Sequence, residues 1–87
     1  MKPVWIVDDD QSIRWVLEKA LQRENMPYRS FSNPQDVLDA FDLGEEPQVL
    51  ISDIRMPRGN GIDLLQQVKA EHPNVPVIIM TAYSDLD

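Results

Sequence analysis

Residues 49–57 decide the fold of this chain: they read Val-Leu-Ile-Ser-Asp-Ile-Arg-Met-Pro. Val49 to Ile51 form an unbroken apolar run, which is typical of a strand buried on both faces inside a parallel sheet. Asp53 follows two residues after that run, and Pro57 prevents the strand from continuing far beyond it. Because open α/β sheets bind ligands at the carboxyl ends of their strands, we expect Asp53 to lie in a ligand-binding crevice.

A second apolar run also ends in carboxylates. Residues 4–7 read Val-Trp-Ile-Val and are followed by Asp8, Asp9 and Asp10. If the two strands are neighbours in a parallel sheet, these side chains and Asp53 converge at one edge of that sheet. The sequence therefore predicts an acidic pocket built from two strand ends.

The composition describes one small domain and limits its partners. A chain of 87 residues buries roughly 60–65% of its unfolded surface, enough for one modest core. Fifteen acidic residues against eight Lys and Arg give a net charge of −7, so no basic stripe is available to bind nucleic acid. The absence of cysteine excludes disulfides and thiolate metal sites. No apolar run approaches the ~18 residues that span a membrane, and no signal peptide is recognisable, so we expect a cytoplasmic protein without membrane contact.

Four predicted strands alternate with three predicted helices. The strands are Pro3–Val7, Tyr28–Phe31, Val49–Ser52 and Val77–Met80. The first helix begins near Gln11 or Ser12 and ends near Asn25. The second follows the N-cap Asn33 and ends near Gly44. The third follows the tight loop 57–61 and ends near His72. This alternation predicts a doubly wound parallel α/β sheet. The second strand is the least apolar and belongs at an edge, so we expect the strand order 2-1-3-4, with the acids in the crevice between the first and third strands.

Each predicted helix carries an apolar stripe that we expect to face the core. The residues of these stripes are Ile13, Val16, Leu17, Ala20 and Leu21 in the first helix and Val37, Leu38 and Phe41 in the second; the third helix has Ile62, Leu65, Val68 and Lys69 on neighbouring turns. By contrast, we expect Arg14, Lys19 and Arg23 on a solvated helix face, and His72 at a solvated helix end.

The acidic pocket predicts metal-assisted phosphoryl chemistry. Crowded carboxylates repel one another unless protons or a cation intervene, and an all-oxygen site suits Mg²⁺ or Mn²⁺ better than zinc. A carboxylate beside such an ion can attack phosphorus and form an aspartyl phosphate. Our hypothesis is that Asp53 is this nucleophile and that Asp9, with Asp8, holds the metal. Thr81, at the end of the fourth strand, is placed to donate its hydroxyl to a phosphoryl oxygen beside the small Ala82.

Two other functions stay open at this point. The Asp-x-Asp pattern after a first strand also fits a haloacid-dehalogenase-like phosphohydrolase, in which Asp8 is the nucleophile. The short length and the absence of a cap domain and of a matching lysine count against that enzyme. Alternatively, the chain is an interaction domain whose acids do no chemistry, because single aspartates at strand ends are common turn residues. Only the combination of acids after the first and third strands with a hydroxyl after the fourth is specific.

Three motifs resemble those of the receiver domains of two-component response regulators. They are residues 6–10 (Ile-Val-Asp-Asp-Asp), residues 51–57 together with Gly61, and residues 77–82 (Val-Ile-Ile-Met-Thr-Ala). Residues 12–18 and 81–87 are further similar to regulators of the nitrogen-regulation (NtrC) type. The resemblance covers the whole chain, and it implies a flavodoxin-like receiver fold and a phosphoacceptor signalling domain rather than an enzyme.

The resemblance also implies a role for each site residue. Asp53 accepts a phosphoryl group from a sensor histidine kinase in a Mg²⁺-dependent reaction. The implied metal ligands are Asp8, Asp9, Asp53 and the backbone carbonyl of Arg55. Asp10 faces the helix start, Thr81 is the switch hydroxyl, and Arg55 and Tyr83 tune the lifetime of the phosphoryl group. Phosphorylation switches a downstream transcription-activating output, which in this type is an ATPase domain acting on σ54 polymerase and a DNA-binding domain.

The sequence departs from the receiver pattern at its C-terminal end. Receiver domains continue with a fifth strand, two further helices and an essential lysine, which Lys2, Lys19 and Lys69 do not match. We therefore expect residues 1–87 to be the N-terminal portion of an incomplete receiver that takes phosphate poorly. The fourth strand, Val77–Met80, would then be an exposed edge with two apolar faces, and we expect either self-association or exchange of elements there, or only marginal stability.

Overall fold

The computed structural model describes residues 1–56 and 59–80, and in these ranges it contains six strands and three helices. The strands are β1 (Val4–Val7), β2 (Tyr28–Phe31), β3 (Val49–Asp53), β4 (Arg55–Met56), β5 (Gly59–Asn60) and β6 (Val77–Met80), and the helices are α1 (Gln11–Arg23), α2 (Pro34–Asp42) and α3 (Gly61–Glu71). The predicted strands and helices are confirmed, with boundaries displaced by at most two residues. Within this described part, no helix has the length and apolar character needed to cross a membrane.

A four-stranded sheet forms the centre of the fold. Its order is β2-β1-β3-β6, and every neighbouring pair is parallel. Since β6 is the strand predicted as the fourth, this confirms the predicted order 2-1-3-4. Val7 pairs with Ser52 across the central pair, so Asp8 and Asp53 are the next residues of the two segments at this edge of the sheet. β4 and β5 form a separate antiparallel pair after β3, which the sequence did not predict because two-residue strands carry no periodicity.

One face of the sheet carries the main hydrophobic core. The side chains that form it are Trp5, Val7, Phe31 and Leu50 of the sheet, Val37, Ala40 and Phe41 of α2, Leu64 and Val68 of α3, and Val75. The Trp5 ring lies against Phe31 and Phe41, with centroid distances of 5.1 and 4.9 Å. Phe41 also stacks on His72 at 4.1 Å, so the expected solvated position of His72 is wrong: its ring extends the aromatic cluster.

The ends of α2 follow the predicted signals. The side chain of Asn33 accepts a hydrogen bond from the backbone N–H of Asp36 at 2.9 Å, and Pro34 occupies the first turn. Beyond the end of the helix, Gly44 adopts φ +88°, a left-handed conformation that favours glycine. Both caps are therefore local consequences of the sequence.

α1 lies on the opposite face of the sheet and packs less deeply than predicted. None of its residues is buried, and Leu17 and Leu21 are only half-buried. Ile13 and Val16 are 42% and 58% exposed, so the expected core-facing stripe is only partly covered. The periodicity located this stripe correctly on the helix, but it could not reveal how much of the sheet one helix covers.

Burial decreases across the face of the sheet on which α1 lies. The register places Ile6, Ile51 and Ile78 in one row across β1, β3 and β6. Ile6 is fully buried and Ile51 is half-buried, whereas Ile78 is 52% exposed. The outer part of this face, at β6, is therefore the least covered.

α3 is rotated relative to the sequence prediction. Its buried residues are Gly61, Leu64 and Val68, whereas Ile62 is 40% exposed and Leu65 is half-buried. The helix begins at Gly61, which packs directly against the backbone at the end of β3. Because that contact fixes the rotation of the helix, the positions three and seven residues later face the core.

Candidate metal and phosphate site

Three aspartates converge where β1 and β3 end. Asp8 follows β1, Asp53 is the last residue of β3, and Asp9 begins the connection to α1. One carboxylate oxygen from each residue can be chosen so that all three lie within 4.8 Å of one another. Asp8 is buried, with 2% exposure, Asp53 is half-buried and Asp9 is exposed. The predicted juxtaposition of the two strand ends is therefore present.

Asp8 is held at three of its atoms. Its backbone N–H donates to the carbonyl of Phe31 in the neighbouring β2, at 3.2 Å. Its carbonyl accepts a hydrogen bond from the guanidinium of Arg14 at 2.6 Å, and its Oδ1 accepts one from the N–H of Asp10 at 2.9 Å. The expectation of a solvated Arg14 is therefore wrong, because this half-buried side chain binds the main chain of the pocket.

Asp10 belongs to the helix rather than to the group of three aspartates. Its Oδ1 accepts a hydrogen bond from the N–H of Ser12 at 2.8 Å, and its carbonyl accepts one from Arg14 N–H at 3.1 Å. Asp10 is thus the N-cap of α1, which agrees with the expectation that it faces the helix start. A carboxylate at this position also interacts favourably with the positive end of the helix dipole.

The crowded carboxylates perturb the titration of Asp8. Burial raises the pKa of its carboxyl above the ordinary value of 3.8, and repulsion from Asp53, Asp9 and Asp10 raises it further. The hydrogen bond from the backbone N–H of Asp10 opposes the shift. The pocket therefore favours a proton or a cation among its oxygens.

Gly61 allows the close approach of α3 to the end of β3. Its N–H donates to the carbonyl of Ile54 at 2.9 Å, and a Cβ at this position would lie 2.2 Å from the carbonyl oxygen of Asp53. Ser52, which is fully buried, donates its hydroxyl to the carbonyl of Asp53 at 3.0 Å. The sequence marked Gly61 as a turn residue, but its importance is the absence of a side chain beside the backbone of Asp53.

The donor set fits a small divalent cation. Ligands placed about 2.0–2.1 Å from one Mg²⁺ ion lie at most about 4.2 Å apart. In the pocket the three carboxylate oxygens lie within 4.8 Å of one another, so only small side-chain movements would bring them around one ion. All three donors are carboxylate oxygens, which Mg²⁺ and Mn²⁺ prefer over nitrogen or sulfur.

The structure does not test the other predicted site residues. Arg55 lies in β4, immediately beyond the pocket strand, and the role of its backbone carbonyl stays a prediction. Thr81, Ala82 and Tyr83 lie outside the described residues, as does the predicted helix start at residues 84–87. The site that can be described therefore consists of the three aspartates with Arg14, Ser52 and Gly61 around them.

Comparison with known proteins identifies the family. A family model described as the response regulator receiver domain matches residues 4–87. The chain is a response regulator receiver domain. The receiver domain is 58% identical over 84 residues to the DNA-binding transcriptional regulator NtrC of Proteus hauseri. That alignment covers 97% of this chain but 18% of the relative, so the chain spans about a fifth of the length of that regulator.

Solved receiver domains share the fold. The apo receiver domain of nitrogen regulatory protein C matches with a TM-score of 0.83 and 55% identity, covering 99% of this chain and 68% of that one. The response regulator TrrA of Thermotoga maritima, solved in complex with Mg²⁺–BeF, matches with a TM-score of 0.88 and 29% identity, covering 98% of this chain and 73% of that one. These similarities confirm the flavodoxin-like receiver architecture and the resemblance to the NtrC type.

Proposed function

We propose that Asp53 accepts a phosphoryl group, while Asp8, Asp9 and the backbone carbonyl of Arg55 hold Mg²⁺ beside it. The convergence of three carboxylate oxygens within 4.8 Å at the ends of two neighbouring strands is the observation that carries this proposal. When bound, Mg²⁺ would offset negative charge on the carboxylates and on the incoming phosphoryl oxygens. Family membership favours this function over the two alternatives left open by the sequence.

The surroundings of the two strand-end acids support different roles for them. Asp8 is buried and its Oδ1 already accepts a hydrogen bond from Asp10, which fixes it as a ligand or charge rather than an attacking group. Asp53 is half-buried at the end of its strand, where an incoming phosphoryl group has access. In the proposed reaction the phosphoryl donor is a phosphohistidine of the kinase. An Asp53 oxygen forms the new bond to phosphorus, the bond from phosphorus to the histidine nitrogen breaks, and the leaving imidazole takes up a proton.

We propose partners of the kind found in two-component signalling. The phosphoryl donor is a sensor histidine kinase, and the output is that of an NtrC-type nitrogen-regulation regulator, with σ54-dependent ATPase and DNA-binding domains. The relative from Proteus hauseri is named a DNA-binding transcriptional regulator, and this supports the proposal. Thr81 would donate its hydroxyl to the phosphoryl oxygens and so connect phosphorylation of Asp53 to a change in the partner surface.

Acetyl phosphate with Mg²⁺, followed by peptide mass mapping, tests the phosphoacceptor. The expected result is low-yield, Mg²⁺-dependent modification of the peptide that contains Asp53 and none in Asp53→Asn. The matched variant Asp8→Asn should keep Asp53 as the modified residue but reduce the yield. Modification at Asp8 would instead indicate the haloacid-dehalogenase-like reaction, and no modification together with no Mg²⁺ binding would indicate an interaction domain.

We also propose that chains self-associate at β6. Among the described residues this strand pairs on one side only, with β3, and its Ile78 is 52% exposed beside that open edge. Unpaired strand edges with apolar side chains favour pairing with another chain. Light scattering across a concentration series should give a rising mass that Ile78→Lys abolishes and the exposed control Ile62→Lys does not. A constant monomer mass at high concentration would refute the proposal.

A further inference from the structure

A basic side chain outside the group of three aspartates binds the backbone of the pocket. The guanidinium of Arg14, in the second turn of α1, donates to the carbonyl of Asp8 at 2.6 Å. That carbonyl belongs to the peptide unit joining Asp8 to Asp9, so its orientation also determines where the Asp9 carboxylate points. Arg14 is therefore bonded to the one peptide unit shared by two of the three acids.

Arg14 is the first member of a polar row along α1. Glu18 and Gln22 follow at intervals of four residues and lie on the same side of the helix. The Ser30 hydroxyl donates to the Glu18 carboxylate, and the Gln22 amide donates to the Tyr28 hydroxyl at 2.7 Å. These polar contacts join α1 to β2, in addition to the half-buried Leu17 and Leu21.

We propose that Arg14 is a positioning residue for the acidic pocket. Three contacts fix Asp8: β2 binds its N–H, Asp10 binds its carboxylate, and Arg14 binds its carbonyl. Removal of the guanidinium leaves the half-buried Asp8 carbonyl without that hydrogen-bond donor. We therefore expect the Asp8–Asp9 peptide unit to rotate toward another donor. Such a rotation separates the two carboxylates that hold the cation. This inference rests on the metal site of the proposed function and names a residue that supports it.

The charge of Arg14 makes the direction of its effect informative. A guanidinium near the pocket repels a divalent cation, so loss of the charge alone would strengthen Mg²⁺ binding. Loss of positioning would weaken it. These two effects have opposite signs, and a weaker affinity therefore cannot come from the change in charge.

Calorimetric titration of the chain with Mg²⁺ provides the test. Arg14→Met keeps the length of the stem but removes the donors, and we expect about tenfold weaker binding, as for other groups that orient metal ligands. Arg14→Lys retains one donor and should recover part of the affinity. The matched control Arg23→Met removes the same group at the other end of α1 and should change the affinity less than twofold, roughly the scale of a screened surface charge. Binding by Arg14→Met that equals or exceeds that of the parent would overturn the proposal.

A measurement without metal separates this inference from the proposed function. The amide N–H of Asp10 is bonded to the Asp8 carboxylate, so its hydrogen exchange reports how firmly Asp8 is held. In Arg14→Met this amide should exchange faster than in the parent, while amides in the middle of α1 keep their rates. Uniformly faster exchange along α1 would instead assign Arg14 a merely structural role. If the parent binds no Mg²⁺, the proposed function fails, and the exchange result still decides the role of Arg14.

Discussion

Replacing Asp53 with Asn should stabilise the metal-free protein. The substitution keeps the shape of the side chain but removes one of three negative charges whose oxygens lie within 4.8 Å of one another. Burial and repulsion from Asp53 raise the pKa of Asp8, which indicates that the pocket is electrostatically unfavourable at neutral pH. The negative charge of Asp53 therefore lowers the free energy of unfolding of the metal-free protein. Such a cost in stability is common for residues that serve function.

The separation of the oxygens sets the magnitude. Two unit charges 4.8 Å apart interact with about 0.9 kcal/mol in water and about 3.5 kcal/mol at an effective dielectric constant near 20. Asp8 is buried, but Asp9 is exposed and its interaction with Asp53 is close to the aqueous value. We therefore expect Asp53→Asn to raise the free energy of unfolding by about 1 to 3 kcal/mol in chelator.

Urea unfolding at pH 7, in EDTA and in Mg²⁺, measures this difference. Mg²⁺ at 100 times its dissociation constant should stabilise the parent by about 2.7 kcal/mol and stabilise Asp53→Asn less. Asp39→Asn is the matched control, because it removes one exposed charge and retains an oxygen to accept the Gln35 hydrogen bond. A variant at Asp53 that is clearly less stable than the parent in EDTA would refute the shared acidic pocket.

Three further predictions concern pH, Gly61 and Asn33. In metal-free buffer the folded state holds the Asp8 proton more tightly than the unfolded state, because the pKa of Asp8 is raised on folding. The free energy of unfolding, relative to that of Asp8→Asn, should therefore fall as the pH rises above 3.8. Urea unfolding at several pH values measures this difference. Gly61→Ala places a Cβ 2.2 Å from the Asp53 carbonyl; we expect a loss of about 1–3 kcal/mol in unfolding free energy and weaker Mg²⁺ binding, and unchanged values of both would contradict the close approach. Asn33→Ala removes the cap of α2 and should cost about 1 kcal/mol, whereas Asn33→Ser, which retains an oxygen acceptor and adds no charge beside Asp36, should cost less in the same unfolding assay.

The sheet and the pocket could be predicted because their signals are local and strong. Apolar runs at residues 4–7 and 49–51 indicated buried parallel strands, and the chain geometry of βαβ units then placed Asp8 and Asp53 together. The caps at Asn33 and Gly44 were equally readable, since each depends on one residue type in one conformation. These features needed no knowledge of packing.

What the sequence did not predict depends on contacts between elements. Leu64 rather than Leu65 faces the core because Gly61 fixes the rotation of α3 against β3. Arg14 looked like a solvated cation because spacing alone cannot show that its guanidinium reaches the Asp8 carbonyl. Val16 had the periodicity of a core residue, yet it stays exposed because α1 rests on the sheet mainly through half-buried and polar contacts.

Paramagnetic NMR with Mn²⁺ tests most directly whether Asp8, Asp9 and Asp53 share one cation. Substoichiometric Mn²⁺ should first broaden the amide resonances of residues 8–10 and 53–54, and excess Mg²⁺ should restore them. Asp53→Asn should need more Mn²⁺ for the same broadening. Broadening that begins at the exposed acids of α2, or that spreads evenly over the acidic surface, would contradict a single site at the two strand ends.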